Sequence, residues 1–217
     1  LRQRRDARRK EQTRGVLLTA AREAFVARGY HATKISDVAA RARVGQGTFY
    51  RHFDNKRQAF QALFDRFVAS LHAEFADMSA HPPTGIEEYM SASRNAVKRA
   101  ARVVMADQAL TLLFLREGPA IDREFERNLK EMCEGFGALA RHYLDAAIDG
   151  GFARSCDTEL VSQSIVGMGL WQLERFLSGR AGGADLDAAI DELVRFAFWG
   201  FGPRGAAADI QIPERER

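Results

Sequence analysis

Cysteine and proline are scarce in this chain, with two Cys and five Pro in 217 residues. Cys133 and Cys156 provide neither metal-ligand spacing nor a disulfide framework, so a reducing cytoplasm is the expected compartment. The low proline content, set against abundant Ala, Leu, Arg and Glu, argues for helix over an all-β architecture, and no alternating strand pattern appears. Long apolar runs are missing too. The longest, Ala109 to Leu115, is seven residues interrupted by Thr111, far short of the ~20 that cross a bilayer. The arginine-rich start is not followed by an apolar stretch, so no secretory signal is expected there. The five histidines, His31, His52, His72, His81 and His142, form no HExxH set. No P-loop, GxSxG or CxxC occurs either, so neither an enzyme nor a cofactor is expected.

What is present is 46% hydrophobic and 28% charged residues, enough for an ordinary globular core. The net charge of +3 hides a division. Residues 1–57 hold 15 Lys and Arg against five acids, a net of +10, whereas residues 58–217 hold 17 against 24, a net of −7. A basic head on an acidic body suits a phosphate-binding module whose body resists non-specific association. The alternative for Arg2 to Arg14 is a solubilising tail.

Hydrophobic spacing gives about nine helices and an all-α fold. A first helix is expected over Thr13–Arg28, stopped by Gly29, then a second capped by Thr33 and a third over Gln46–Phe53. Asn55 caps a fourth, which carries Phe60, Phe64 and Phe67 to about Ala80 before Pro82 and Pro83. Further helices are expected at Ile86–Arg99, Val103–Arg116 (ending at Gly118-Pro119) and from Ile121 through Ala147, stopped by Gly150-Gly151. Two more follow, capped by Asp157 and Asp185, and a polar tail from Gly205.

Val38, Ala39, Ala42, Val44 and Phe49 form a helix-turn-helix pattern: a small residue where two helices cross, an apolar plug in the turn and an aromatic anchor in the second helix. This leaves Gln46, Gly47, Thr48, Tyr50, Arg51 and His52 on the exposed side of the second helix. With Ala-Ala-Arg-Glu-Ala-Phe in helix one, Gly29-Tyr30-His31-Ala32-Thr33, Ile35-Ser36-Asp37-Val38-Ala39, Gly47-Thr48-Phe49-Tyr50-Arg51-His52-Phe53 and Asn55-Lys56, the stretch from Thr13 to about Leu63 resembles the TetR (tetracycline-repressor-like) family of transcriptional regulators.

That resemblance implies a helix-turn-helix DNA-binding domain over 1–57 with a basic N-terminal arm, and a ligand-binding and dimerisation domain over 58–217. It also implies a homodimer on a palindromic double-stranded operator, with half-sites about 34–36 Å apart or at a multiple, and release by a small-molecule effector. Repression is the family's commoner mode; an activator on the same fold and a non-specific architectural DNA binder are the alternatives. Carried over by position, Gln46 and Tyr50 touch base edges and Gly47 lets the backbone approach. Thr48, Arg51 and His52 make backbone or mixed contacts, and Thr33, Lys34 and Lys56 mark phosphate clamps. Tyr50 could instead pack against helix one, and His52 could cap its own helix.

The chain departs from the family at the turn. Arg43 stands where glycine is usual, so either the turn is strained or its geometry differs, and the arginine would compensate by reaching a phosphate. Gly45 replaces the usual Ser or Thr cap. Gln46 replaces a common Lys, exchanging a charge for an amide suited to adenine.

In the body the resemblance is one of layout. The last two helices, with Gly167, Leu170, Leu173, Leu177, Ile190, Leu193, Val194, Phe198 and Phe201, are the candidate dimer face. Phe67, Met90, Met105, Leu112, Phe114, Met132, Phe136, Tyr143 and Trp171 are candidates for an effector pocket, with Asn95, Gln108, His142 and Glu174 as polar anchors. For both sets the plain alternative is intramolecular core.

Overall fold

In the computed structural model, residues 2–76 and 84–199 are described, and they form ten α-helices and no strand. In chain order these are α1 (Arg2–Ala32), α2 (Ile35–Arg41), α3 (Gln46–Tyr50), α4 (Lys56–Ala73) and α5 (Ile86–Ala106). They continue with α6 (Gln108–Arg116), α7 (Gly118–Ile121), α8 (Arg123–Asp149), α9 (Thr158–Leu177) and α10 (Leu186–Trp199). Pro82, Pro83, Phe201 and the tail from Gly205 lie outside the described residues.

Several ends follow local chemistry. Asn55 Oδ1 accepts from Gln58 N at 2.9 Å, Asp157 Oδ1 accepts from Leu160 N at 3.0 Å, and Asp185 Oδ2 accepts from Ala188 N at 3.2 Å. Each satisfies an amide that the first helical turn leaves unpaired.

Other boundaries depart from the expected ones. Helix α1 starts at Arg2 rather than Thr13; Gly29 (φ 77, ψ 165) interrupts it where a stop was expected, and a short helical piece follows to Ala32. Helix α3 stops at Tyr50 instead of Phe53, and α4 at Ala73 instead of Ala80. The break expected between Arg99 and Val103 sits at Asp107, because its carboxylate caps α6 at Leu110 N and also holds Arg22. Gly118-Pro119 opens the short α7, since proline fits a helix's first turn; this supplies the tenth helix.

Two compact units pack separately, residues 1–77 with 100–136 and residues 78–99 with 137–217. In the first, a run of rings joins α1, α4, α6 and α8. Phe60 lies 5.3 Å from Phe25 and 5.1 Å from Tyr30. It also lies 5.2 Å from Phe114 and 5.1 Å from Phe125. Phe25, Phe60 and Phe125 are fully buried. In the second unit Tyr89 packs against Tyr143, Phe152 and Phe198. Burial among these groups pushes the Tyr89 hydroxyl up to about 12. There α5 and α10 are tied by Lys98, which pairs with Asp191 at 3.0 Å and Asp187 at 3.6 Å.

Among the described residues no helix is long and apolar enough to cross a membrane. Gly118 is needed for close approach: a methyl group there would overlap the Phe125 ring, with Cδ1 2.8 Å away. Gly118→Ala is expected to cost about 1–3 kcal/mol by overpacking, whereas Gly135→Ala, with nothing within 4 Å of its Cβ, is expected to be neutral or to stabilise by up to about 1 kcal/mol. Paired thermal melts check both.

Candidate nucleic-acid interface

Helices α2 and α3 cross where Ala39 is 2% exposed, and Val44 N closes the turn on Ala39 O at 3.0 Å. Arg43 has φ 55, so the left-handed turn is kept with a side chain in the place where glycine would be unstrained. The strain expected at this position is therefore present, at roughly 1 kcal/mol. Gly45 caps α3 in extended geometry (φ −71, ψ 152), a conformation open to any residue, and supplies no side-chain cap.

Phe49 is fully buried and packs on Phe53, ring centres 5.5 Å apart and planes tilted by 43°. That fixes which side of α3 faces outward. Gln46, Gly47, Tyr50 and Arg51 are exposed there, Tyr50 at 53%, so Tyr50 is not packed away against α1. Thr48 is half-buried, its hydroxyl accepting from Arg51 Nη2 at 2.9 Å. Lys34 and Arg43 are exposed on the same head.

Thr33 and Lys56 turn inward instead. Thr33 is 1% exposed, and its hydroxyl donates to Gly29 O at 2.7 Å and Ala24 O at 3.1 Å. It therefore seals the kinked end of α1, while Lys34 is the N-cap residue of α2 and its N–H donates to Asp37 Oδ2 at 3.0 Å. The Lys56 ammonium donates to Tyr30 O at 2.8 Å, His31 O at 3.0 Å and Thr33 O at 3.1 Å, and sits 4.5 Å from the Tyr30 ring centre. All three of its protons are committed to α1's last carbonyls and the residue beyond. Burial holds its pKa below the ordinary lysine value. Neither signal was local: both residues act through contacts made by Gly29's kink.

His52 follows α3 with its ring half-buried, and its Nδ1 has no hydrogen-bond partner, so it does not cap its helix through that atom. Burial first, then the charges of Lys10, Arg51 and Arg14, hold its pKa below the ordinary histidine value, with Glu11 opposing. Arg14 lies over the Phe53 ring, 4.9 Å from its centre. The basic start of α1 thus adjoins the exit of α3.

The body candidates fall into both units. In the first, Phe67 packs on Phe114 at 5.6 Å, Phe136 on His72 and Phe75, and Met132 is buried. Met105 and Leu112 are half-buried and Gln108 is exposed. In the second, Tyr143 is buried, Met90 is half-buried, Asn95 and His142 are exposed, and Glu174 pairs with Arg180. Trp171 is 61% exposed, which removes it from any interior lining. Leu177, Ile190 and Val194 are buried within their unit, and Leu170, Leu173, Leu193 and Phe198 are half-buried, the last against Tyr89. Gly167 is exposed. Three large apolar residues that sequence spacing did not single out are also exposed: Leu160 at 64%, Phe196 at 41% and Trp199 at 49%. Periodicity marks them as apolar on a helix but not which apolar stripe the fold leaves outside.

Residues 17–63 match the family model for bacterial regulatory proteins of the tetR family. The chain is 42% identical over 62 residues to the HTH-type transcriptional activator FasR of Mycolicibacterium smegmatis, a match covering 29% of this chain and 28% of that one. With the HTH-type transcriptional regulator YdgC of Bacillus subtilis it is 27% identical over 198 residues, 89% of this chain and 95% of the relative. The fold is similar to that of the transcriptional regulator FadR from Bacillus subtilis in complex with stearoyl-CoA, with a TM-score of 0.72, 20% identity and coverage of 86% and 98%.

Two outcomes follow from the geometry alone. Because His52 has its folded pKa depressed, its contribution to stability is complete above the unfolded value of about 6.5 and is lost as pH falls from there through the lower folded value. The DNA-free protein is expected to melt lower at pH 5.5 than at pH 7.5, with a smaller difference in His52→Gln. Arg43→Gly relieves the left-handed strain and is expected to raise stability by a few tenths to about 1 kcal/mol in denaturant titrations.

Proposed function

We infer that this chain, whose residues 17–63 match the tetR family model, is a member of that family and a sequence-specific transcriptional regulator that binds a palindromic operator as a homodimer. It works in the cytoplasm, represses, and leaves its operator when a mostly apolar small molecule binds the body. One observation carries the reading: buried Phe49 locks α3 so that Gln46, Tyr50 and Arg51 face outward together from a head of net charge +10 over residues 1–57. Gln46 and Tyr50 are assigned to base edges, and Arg51, Lys34 and Arg43 to phosphates. Thr33 and Lys56 hold the frame that presents them.

The second copy is assigned to the exposed face of α9, where Leu160, Ser164, Gly167 and Trp171 recur at helical spacing, together with Phe196 and Trp199 of α10. Exposed large apolar side chains clustered on two terminal helices support a subunit interface. The half-buried Phe67, Met105, Leu112 and Phe136 of the first unit support an apolar effector. The solved FadR structure with stearoyl-CoA makes long acyl thioesters the first compounds to test. FasR, described as an activator, keeps activation as the second reading; a reporter fused to the bound promoter separates the two.

Selection of bound DNA followed by footprinting tests the central claim. A two-fold symmetric site supports it, and the absence of any preferred sequence overturns it. Gln46→Ala and Tyr50→Ala are expected to lose about 1–3 kcal/mol each and to relax preference at one position per half-site. Arg43→Gly should lower the magnitude of the salt slope by about 0.9 per subunit if Arg43 meets a phosphate, and Lys56→Met should leave the slope unchanged. Trp171→Glu is expected to shift the protein from dimer to monomer in sedimentation.

A further inference from the structure

Lys56 and Arg57 open α4 side by side and serve different neighbours. Successive residues of a helix point about 100° apart, so Lys56 turns to the end of α1 while Arg57 turns to the start of α8. The half-buried Arg57 guanidinium donates from Nε to Asp122 Oδ2 at 2.7 Å and from Nη2 to Asp122 Oδ1 at 3.3 Å, and lies 5.3 Å from the centre of the Phe125 ring. Asp122 Oδ1 also accepts from Phe125 N at 2.7 Å, so the carboxylate that receives Arg57 is the one that caps α8. One turn along α4, Gln61 Oε1 accepts from Arg57 Nη1 at 2.7 Å and from Asn128 Nδ2 of α8 at 2.9 Å, and Gln61 Nε2 donates to Asp65 Oδ1 at 2.7 Å. The polarity of this cluster has one solution. A guanidinium only donates and a carboxylate only accepts, so the Gln61 oxygen faces Arg57, its nitrogen faces Asp65, and Asn128 must present its amide nitrogen.

The fold's stability does not lie in this cluster. Gln61 and Asn128 are half-buried and Asp65 is exposed, and hydrogen bonds within reach of water contribute little net stability. The buried area beside them belongs to Phe60, Phe64 and Phe125. Those rings attract without specifying direction. The Gln61–Asn128 bond does specify one, because a slide of α4 along α8 by one residue's rise, about 1.5 Å, takes it out of hydrogen-bond range. Residues 51–55 alone separate α3 from α4, and Lys56 holds the end of α1 to the same turn of α4. The placement of α4 on α8 is therefore passed directly to α3.

We propose that Gln61 and Asn128 are positioning residues for operator selection: their hydrogen bond, keyed by Arg57, fixes α4 on α8 and so decides which half-site spacing the two recognition helices of a dimer accept. The proposal rests on the regulator and the homodimer inferred above and adds to them. Both residues act through α4 and touch no base, so they govern the distance between the two reading heads and leave untouched what each head reads.

The test uses the full chain on duplexes that keep both half-sites of the selected operator and lengthen or shorten its centre by one base pair, about 3.4 Å of helix. The parent is expected to bind both altered duplexes at least tenfold more weakly than the operator. Gln61→Met and Asn128→Leu, which keep the side chain's size and remove the hydrogen bond, are expected to cut that penalty to about threefold or less. Gln61→Glu keeps an oxygen facing Arg57 and Asn128 and is expected to restore the parent's penalty. Thermal melts confirm that the variants fold, and their ranking of base substitutions within a half-site should match the parent's, since α3 is unaltered. A tenfold penalty kept in both Gln61→Met and Asn128→Leu overturns the proposal, as does a parent that accepts all three spacings alike. Loss of the base ranking in these variants also overturns it, because the cluster would then support the fold of the head rather than its placement. A parent with no preferred sequence overturns the regulator instead, and a parent that binds as a monomer overturns the dimer.

Discussion

The Phe60 ring is fully buried and touches Phe25 and Tyr30 of α1, Phe114 of α6 and Phe125 of α8. No seam can therefore be drawn between a three-helix head and the helices behind it without cutting through one side chain. Truncating a buried Phe costs about 3–5 kcal/mol, a large share of the 5–15 kcal/mol by which domains are stable. Phe64 extends the same packing to Phe114 and Phe125. The helix-turn-helix is in this sense the outer face of a larger body, residues 1–77 with 100–136, and its orientation is set by that body's core.

Apolar packing is non-directional, and a second set of contacts fixes the register. Asp107 and Glu117 flank α6. The first holds Arg22 through a two-point ion pair, with Nη2 to Oδ1 at 2.6 Å, and the second accepts from Tyr30 N at 2.8 Å. Helix α6 is thus latched to α1 at both ends. Arg57 ties the start of α4 to Asp122 at 2.7 Å and holds that carboxyl below the usual carboxylate range. Lys56 completes the frame by gathering the carbonyls of Tyr30, His31 and Thr33. An effector acts on the head only if it favours one position of α6 or α4 over another. With latches at both ends, α6 cannot slide past α1 without breaking a charge-assisted contact. In the regulator proposed above, a shift of α6 would therefore be carried to the head as a rigid displacement.

Features set by a few neighbouring residues were legible in the sequence. The turn at Val44, the anchor Phe49, the caps Asn55, Asp157 and Asp185, and the irregularity at Gly29 all follow from local side-chain chemistry. Features requiring a distant partner were not. Asp107 breaks the helix because Arg22 lies 85 positions away, where it reaches the same carboxylate that caps Leu110. Thr33 and Lys56 have the residue types of phosphate contacts and are consumed by carbonyls at the end of α1. Trp171 fits a pocket by composition and is exposed because helical spacing does not say which stripe meets the core. The arginine-rich start, expected to be a basic arm with a solubilising tail as the alternative, is helical by propagation of α1 outward from the packed turns around Leu17 and Leu18.

Arg43 is a different kind of departure. Among the described residues, the left-handed backbone conformation occurs at Gly29, Gly151, Gly179, Gly182 and Gly183, and at one non-glycine, Arg43. At every other described position with this conformation the residue is glycine, so the exception is not explained by the turn's own needs. The side chain is exposed and makes no ion pair among the described residues, so the strain is not offset by a charge partner within the fold. A cost of roughly 1 kcal/mol with no internal compensation is the mark of a group kept for something outside the chain. The turn that carries it leads directly into α3, where a guanidinium adds charge beside the amide of Gln46. In the regulator proposed above, Arg43 would supply beside α3 the charge that the resembled family commonly carries as a lysine at the position of Gln46, leaving that amide for a base edge.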